Sequence, residues 1–330
     1  MLTILVNSRY NVRVKIHIPN SAFIGNIDQF IAGFDDDNPS SLEITTNDRW
    51  ISMHPVVLCM IAALATKPQT ETISIDEVTA TSGHYLTRMG LYNFLGIPSP
   101  HNIEEHDPAG RFIPLTQITS STELSNFLND MVPMLHIPPV QARSIRYIMS
   151  ELIRNVLEHA FTTTGAMVAA QYYKKTNTIR IGIVDTGIGI KSSMAPTYNP
   201  KDDLTAIKYA LMPGVTGTTL KEGGTDYNAG AGLFFIKSIA AINEDPFLIY
   251  SGNSMFKLLK NKRKKLNWDP STDNHSEKEN LPTWNGTVVG IDINLNSTAA
   301  FTSLLKLIQD TYTEAVRERK KERYRKARFI

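Results

Sequence analysis

The sequence predicts an α/β protein built in two parts, and three observations carry that prediction. Strand and helix signals alternate over residues 1–100, which is typical of a small α/β layer. Proline, glycine and charged residues gather at 101–112 and predict a linker. Residues 113–298 then form one continuous pattern of helices, strands and glycine-rich loops, followed by a basic amphipathic helix at 299–330.

The composition is that of a soluble globular protein. The chain has 330 residues, 42% of them hydrophobic and 20% charged, which is room for two domains that each bury a core. The net charge of +2 gives no overall reason to expect binding to nucleic acid or to a membrane. The longest apolar run, Pro55 to Thr66, is too short to span a bilayer. The single cysteine, Cys59, excludes a disulfide framework, and together these features predict a cytoplasmic protein.

Local patterns predict the elements of the first part. Alternating apolar and polar residues indicate its strands, and apolar periodicity after proline or hydroxyl residues indicates its helices. The expected strands are Thr3–Val6, Val12–Ile18, Ser41–Thr46 and Ile73–Ile75, and the expected helices are Ser21–Ala32, Val56–Ala65 and Thr81–Leu95. In the second part, the charged residues at 257–283 predict a long exposed loop inserted between two strands.

The stretch at 150–160 carries the first functional motif. It sets Glu151, Asn155 and His159 at four-residue steps, so that on a helix they lie along one face. A general base, an amide oxygen able to bind a metal and an imidazole would then point the same way. An apolar stripe on the neighbouring ridge predicts that this helix is anchored in a core; it consists of Ile148, Leu152, Val156 and Ala160.

A second motif follows a strand. Ile179–Val184 alternates like a β-strand, and Asp185 stands at its end, followed by Gly187 and Gly189. The glycines allow a tight turn and a close approach to a ligand. A carboxylate in that position can accept a hydrogen bond from an exocyclic amine, the group that distinguishes adenine from guanine.

A third motif opens a helix. Gly230 and Gly232 precede an apolar run that starts at Leu233, and a helix start with small residues offers amide donors to phosphates. The Gly- and Thr-rich segment Met212–Asn228 predicts a lid over a nucleotide. Lys221 in that segment is either a ligand of the γ-phosphate or a solvated lysine.

These three motifs, in this order, resemble the ATP-binding domain of the GHKL superfamily, which gyrase, the ninety-kilodalton heat-shock chaperone, histidine kinases and MutL share. The resemblance covers about residues 113–298. It implies a Bergerat-type α/β sandwich, a mixed sheet covered by helices on one face. It also implies ATP and Mg²⁺ as cofactors.

The resemblance implies a role for each matching residue. Glu151 orients or activates a water or an acceptor hydroxyl, and Asn155 coordinates magnesium. The motif from Asp185 through Gly187 to Gly189 binds adenine. Phosphates are held by Gly230, Gly232 and Leu233, and Thr287 belongs to the closing Gly-Thr strand.

Two positions on the helix leave questions open. His159 fits the Glu-Asn-His variant of stand-alone members, or it is a structural histidine. Kinase-type members often carry a basic residue three positions after the metal-binding Asn, where this chain has Glu158. A phosphate contact from this helix then comes from Arg154 or is absent.

The surroundings of the motifs argue against two classes of ATP-binding protein. Pro108 and Gly110 would break a phosphoacceptor helix at His106, which argues against a sensor histidine kinase. The short tail after Thr298 argues against DNA strand passage.

The first part resembles the STAS-like fold of anti-sigma factor antagonists over about residues 40–96. The segment from Tyr85 to Leu91, Tyr-Leu-Thr-Arg-Met-Gly-Leu, is its most specific piece. In bacteria such antagonists are phosphorylated by small kinases of the same ATP-binding superfamily. Ser52, Thr81 and Ser82 are candidate acceptors here, although a structural hydroxyl that caps a helix is the favoured interpretation.

Three functions remain open at this stage. The chain is a slow ATPase that acts as a nucleotide-dependent switch on a protein partner, a serine/threonine kinase that phosphorylates a STAS-like partner, or a binding module with structural ATP. Glu151 argues against the third, since a purely structural site needs no base. A homodimer is left open.

The basic tail has its own two interpretations. Its run of arginine and lysine from Arg317 onward could contact nucleic acid. A solvated helix that packs its apolar face, Leu304, Leu305, Ile308 and Tyr312, on the ATP domain or a second subunit is favoured.

Overall fold

A computed structural model gives the fold of the chain. It describes residues 13–33, 40–67, 70–101, 112–130, 133–215, 232–259, 266–296 and 301–326. Several predictions fall outside the described residues: strand Thr3–Val6, residues 102–111 of the linker, residues 216–228 of the lid with Lys221, and Gly230.

The first part contains a parallel sheet of three strands in the order β1-β2-β3. The strands are β1 (Arg13–Ile18), β2 (Ser41–Thr46) and β3 (Thr72–Ile75), and the helices are α1 (Asp28–Ile31), α2 (Pro55–Ala65), α3 (His84–Arg88) and α4 (Leu91–Leu95). Residues alternate strictly between exposed and buried along β1, as the period of a half-buried strand requires. The three strands and α2 confirm their predictions.

Two expected helices of the first part are shorter than predicted. In Ser21–Ala32 only α1 is helical, because Asn26 accepts a hydrogen bond from the Phe23 N–H and donates to the Ser21 carbonyl. These local bonds compete with a helical ladder. The expected helix Thr81–Leu95 is divided into α3 and α4 because Gly90 takes a left-handed φ of +79°.

The second part contains a seven-stranded sheet in the order β4-β5-β6-β10-β7-β8-β9. Its strands are β4 (Phe112–Ile118), β5 (Ala166–Tyr173), β6 (Thr178–Val184), β7 (Phe247–Gly252), β8 (Ser254–Leu258), β9 (His275–Lys278) and β10 (Trp284–Asn294). Every neighbouring pair of these described strands is antiparallel. The expectation of a mixed sheet is therefore wrong.

Six helices accompany this sheet in the described part of the chain. They are α5 (Ser121–Asp130), α6 (Pro139–His159), α7 (Gly189–Tyr198), α8 (Asp203–Ala210), α9 (Gly232–Asn243) and α10 (Phe301–Lys326), and 3-10 turns lie at Pro133–Leu135 and Pro270–Thr272. The predicted helix at 150–160 is the end of α6. Its apolar stripe is buried in one core with side chains from β6, β7 and α9. No helix among the described residues is long and apolar enough to cross a membrane.

The second face of the large sheet is covered by the first part. Helix α2 lies against β5 and β6, where the Cys59 Sγ donates a hydrogen bond to the Gly182 carbonyl over 3.4 Å. Ten residues of α2 are buried, and its core continues into Met167, Val184 and Tyr250 of the sheet. The first part therefore shares its core with this face of the sheet. The described helices of residues 113–298 all contribute buried apolar residues to the core on the other face.

Buried polar contacts fix the first part on the sheet. His54 is fully buried, and its Nδ1 accepts from the Val56 N–H at 3.1 Å, which caps the start of α2. Its Nε2 donates to Asp292 Oδ1 on β10 at 3.1 Å. The other oxygen of Asp292 accepts from Arg180 Nε on β6 at 3.2 Å. The cap of α2 is thus joined directly to β10 and, through Asp292, to β6.

The predicted charged insertion at 257–283 is only partly a loop. Among its described residues, β9 pairs with β8 and extends the sheet by one edge strand. The His275 ring stacks on Phe256 with 4.9 Å between ring centroids, and Glu277 pairs with Lys208 of α8 at 2.8 Å. The sequence did not predict β9, because an edge strand can carry charged side chains and then resembles a loop.

The candidate acceptor Ser82 has a structural role. Its hydroxyl is buried, accepts from the Ile51 N–H at 2.8 Å and donates to the Ile51 carbonyl at 2.8 Å. This hydroxyl does not cap α3, because no side chain caps that helix. Instead it supplies both hydrogen bonds of a buried backbone segment.

Replacement of Ser82 by alanine should lower the free energy of unfolding by about 2 kcal/mol, because the buried Ile51 N–H and carbonyl lose their partner. Urea denaturation measures this change. Thr81→Ala is the matched control: the Thr81 hydroxyl is exposed and donates to the Arg49 carbonyl over a long 3.5 Å, so a change below about 0.5 kcal/mol is expected. Equal losses in the two variants would contradict the structural role of Ser82.

Candidate nucleotide site

One cavity collects most of the predicted site residues. It lies between α6, α7, α9 and the ends of β6 and β10. Six of the residues predicted for ATP binding line it: Asn155, Asp185, Gly189, Gly232, Leu233 and Thr287. Apolar side chains make up much of its remaining wall: Leu152, Val156, Ile183, Ile190, Met194 and Val289. A largely apolar cavity with a few convergent polar groups is the usual form of a small-molecule site.

Glu151 stands beside this cavity. A quarter of its side chain is exposed, and the Arg154 Nη1 lies 3.6 Å from its Oε1. Burial raises the pKa of Glu151, while the Arg154 cation opposes that shift. Arg154 also faces Glu158, and 53% of its side chain is exposed. Glu151 is therefore a carboxylate of increased basicity held next to a cation.

Asn155 is set one helical turn further along α6. Its Nδ2 is buried and has no hydrogen-bond partner among the described residues. A buried amide donor without a partner is costly, and such groups in native structures call for an explanation. Because Asn155 lines the cavity, a ligand with acceptor atoms would satisfy it.

The start of α9 meets both of these side chains. A Cβ added at Gly232, the first residue of α9, would lie 3.1 Å from Glu151 Oε2 and 3.5 Å from Asn155 Nδ2. The first amides of a helix have no partner within the helix and carry its positive dipole end. An amide-rich helix start therefore faces the carboxylate of Glu151 and the amide of Asn155 across a short gap.

Asp185 lies at the end of β6, and only 2% of it is exposed. Its Oδ1 accepts from the Gly187 N–H at 2.8 Å, its backbone N–H donates to the Thr287 carbonyl at 2.9 Å, and its own carbonyl accepts from Trp284 Nε1 at 3.0 Å. Burial raises the pKa of Asp185 to about 6, although hydrogen bonds from Gly187 and Thr287 oppose the shift. The carboxylate is thus rigidly held and poorly solvated.

The loop after Asp185 is pressed against the end of α6. A Cβ at Gly187 would come within 2.0 Å of the Ala160 carbonyl oxygen, and the Ile188 N–H donates to that same oxygen at 2.9 Å. Only glycine allows this approach at position 187. The loop that carries Asp185 is thereby tied to the helix that carries Glu151 and Asn155.

His159 also lines the cavity, at the last turn of α6. Burial lowers its pKa, and Glu158 Oε2, 3.9 Å from its Nε2, opposes that shift. The neutral imidazole is thus favoured at neutral pH.

The part of the cavity wall that α7 supplies was not predicted from the sequence. Ser193 and Met194 line the cavity together with Ile190, and the Ile190 N–H donates to Ser251 Oγ on β7 at 3.0 Å. The signal was present, since Ile190 and Met194 are four residues apart on a helix that starts at Gly189.

No protein-family model matches the chain, and no curated protein sequence is similar to it. The geometry of the cavity therefore carries the functional argument.

Proposed function

We propose that the chain binds Mg²⁺ and ATP in this cavity, hydrolyses ATP slowly, and uses its nucleotide state as a switch toward a protein partner. One observation carries the proposal. A single cavity has a buried carboxylate, Asp185, in its wall, and the start of α9 faces Glu151 and Asn155 beside it. A buried carboxylate can recognise adenine, and a helix start with amide donors can bind phosphates.

Asp185 suits recognition of adenine. Hydrogen bonds from Gly187 and Thr287 hold its carboxylate in place. Each carboxylate oxygen can accept more than one hydrogen bond, so the group can also accept from the exocyclic amine of adenine. Guanine carries a carbonyl at that position, and two acceptors would then face each other. Ile190, Met194 and Val289 supply apolar surface for the base.

The start of α9 suits the phosphates. Helix-start amides bind anions, and the unpartnered Nδ2 of Asn155 is a further donor beside Gly232. Among the described residues, no three His, Cys, Asp or Glu side chains form a group able to hold a metal. A magnesium ion would therefore rely on the Asn155 side-chain oxygen together with phosphate and water oxygens, as Mg²⁺ commonly does.

Glu151 supplies the base of the proposed reaction. Bound ATP would bring the γ-phosphoryl group and magnesium would balance its charge. The Glu151 carboxylate, made more basic by burial, would take a proton from the attacking water. The water oxygen would bond to the γ-phosphorus while the bond from that atom to the β-phosphate oxygen breaks, and ADP would leave. Arg154, 3.6 Å from Glu151 Oε1, opposes the rise in the pKa of this carboxyl and so favours its ionised form.

Helix α9 supports the switch. Its start lies against Glu151 and Asn155, and the rings of Phe234 and Phe235 contact Tyr312 on α10, with centroids 6.2 and 6.0 Å apart. A shift of α9 on nucleotide binding would therefore be transmitted to α10.

Titration calorimetry with ATP and GTP, each with magnesium, tests the proposal. We expect ATP to bind and GTP to bind about 100-fold more weakly, because a buried acceptor facing an acceptor costs roughly 3 kcal/mol. Absence of ATP binding would end the proposal. The fate of labelled γ-phosphate then separates the functions: free phosphate supports the ATPase, phosphate on a serine or threonine supports the kinase, and unchanged ATP supports a structural nucleotide.

A further inference from the structure

Helix α10 changes character part-way along its length. Its predicted apolar face packs on the second part: Ile308 is fully buried, and Leu305 and Tyr312 lie against the same core. Val316 is the last buried residue described on this helix, and Arg317, Glu318 and Lys321 beyond it are exposed. The helix nevertheless continues to Lys326, over about 15 Å.

The continuation concentrates positive charge. Seven of the chain's 34 lysine and arginine residues and two of its 32 acidic residues lie at 317–326. This segment therefore has a formal charge of +5, while the rest of the chain has −3. A concentration of positive charge of this kind attracts a polyanion to that end of the helix.

We propose that residues 317–326 of α10 bind double-stranded DNA by contacts to its phosphates. At 100° per residue, the seven basic positions are distributed around the whole helix rather than along one stripe. The major groove is about 12 Å wide, admits an α-helix, and has a row of phosphates on each side. A helix with basic positions on all sides can meet both rows at once.

The composition of the segment argues against a membrane partner. A helix that lies in a membrane interface needs a broad apolar face, and Tyr324 is the only aromatic or aliphatic residue between Arg317 and Lys326. The segment has seven basic residues against two acidic ones. Among its described side chains, Lys321 pairs with Glu318 at 2.7 Å.

Fluorescence anisotropy with a labelled DNA duplex tests the proposal on the full chain without nucleotide. Binding should weaken steeply between about 50 and 200 mM salt, because it releases condensed counterions. A chain that ends at Val316 keeps the buried part of α10 and should lose binding by at least about tenfold. A milder variant, Arg317→Gln with Lys321→Gln, should lower the salt slope by about 2, since each lost phosphate contact removes about 0.9.

The matched control neutralises two exposed lysines elsewhere, Lys174→Gln with Lys175→Gln in the turn between β5 and β6, and should leave binding unchanged. Far-ultraviolet circular dichroism checks that each variant is folded. Equal affinity of the full and shortened chains for the duplex would overturn the proposal. So would binding only to vesicles containing phosphatidylserine, or only to single-stranded RNA.

Discussion

Replacement of Glu151 by glutamine is expected to lower ATP turnover by about 10²- to 10⁴-fold, while ATP affinity stays within a few-fold of the wild type. Glutamine keeps the size and the hydrogen-bonding shape of the side chain beside Gly232, where Glu151 Oε2 would be 3.1 Å from an added Cβ. It cannot take a proton from water. Release of free phosphate under single-turnover conditions and calorimetric titration with ATP measure the two effects separately.

Glu158→Gln is the control for this change. Glu158 lies on the same helix and faces the same Arg154, with 4.0 Å between Oε1 and Nε. Unlike Glu151, it is not among the side chains nearest to Gly232 at the start of α9. Turnover in this variant should stay close to that of the wild type. If Glu151→Gln kept full turnover, another group would be the base. If both variants lost turnover equally, the loss would come from Arg154 and not from proton transfer.

The pH dependence of turnover gives an independent check on Glu151. Burial raises the pKa of this carboxyl. As the solution is acidified, turnover should therefore begin to fall at a higher pH than it would if the base were an exposed glutamate. The Glu151→Gln variant should lack this limb of the profile. Asp185 also has a raised pKa. The measurement is therefore made with saturating ATP, so that Asp185 is hydrogen-bonded to adenine in the proposed complex.

The elements that carry the site could be predicted from the sequence because their signals are local. Helix α6 follows from apolar periodicity, and Glu151 and Asn155 share a face whatever packs around the helix. Asp185 follows an alternating strand, and Gly232 starts a helix where small residues predicted one. What the sequence could not supply is the distance between these segments, which depends on the pairing of β6 with β10 and on α9 packing against α6.

Long-range packing accounts for the features of the architecture that the sequence did not predict. Helix α2 is apolar on every side, which is compatible with burial in any core, so its contact with β5 and β6 was not visible locally. Strand β9 consists of His275, Ser276, Glu277 and Lys278, and this polar composition predicts a loop. It forms a strand because it pairs with β8, a contact that its own residues do not predict. The unpartnered amide of Asn155 is likewise a property of the folded cavity alone.

Replacement of Asp185 by asparagine should weaken ATP binding by about 10- to 100-fold and stabilise the nucleotide-free protein at neutral pH. In the variant, the side-chain oxygen can still accept from the Gly187 N–H, as Asp185 Oδ1 does at 2.8 Å. An amide NH₂ group then replaces the second oxygen and would meet the amine of adenine donor to donor. A lost hydrogen bond to a charged group accounts for roughly 1.5 to 3 kcal/mol of binding free energy.

The stability effect follows from the raised pKa of Asp185, about 6 in the folded chain against an ordinary value of 3.8. The protonated carboxyl is favoured in the folded state, so its stabilisation is complete below pH 3.8 and is lost as the pH rises through 6. The free energy of unfolding of the wild type should fall by about 3 kcal/mol over that interval, and this contribution should be missing from Asp185→Asn. Urea denaturation at a series of pH values measures it.

Asp203→Asn is the control for both measurements. The Asp203 carboxylate also accepts a backbone N–H, that of Asn253 at 3.0 Å, but this residue is less buried than Asp185 and does not line the cavity. Full ATP affinity in Asp185→Asn would refute recognition of adenine by this carboxylate, and an unchanged pH profile of stability would show that another group titrates. A gain in stability joined to a loss of affinity is expected only if Asp185 is kept as a buried charge for its ligand, because a structural residue would lose stability when its charge is removed.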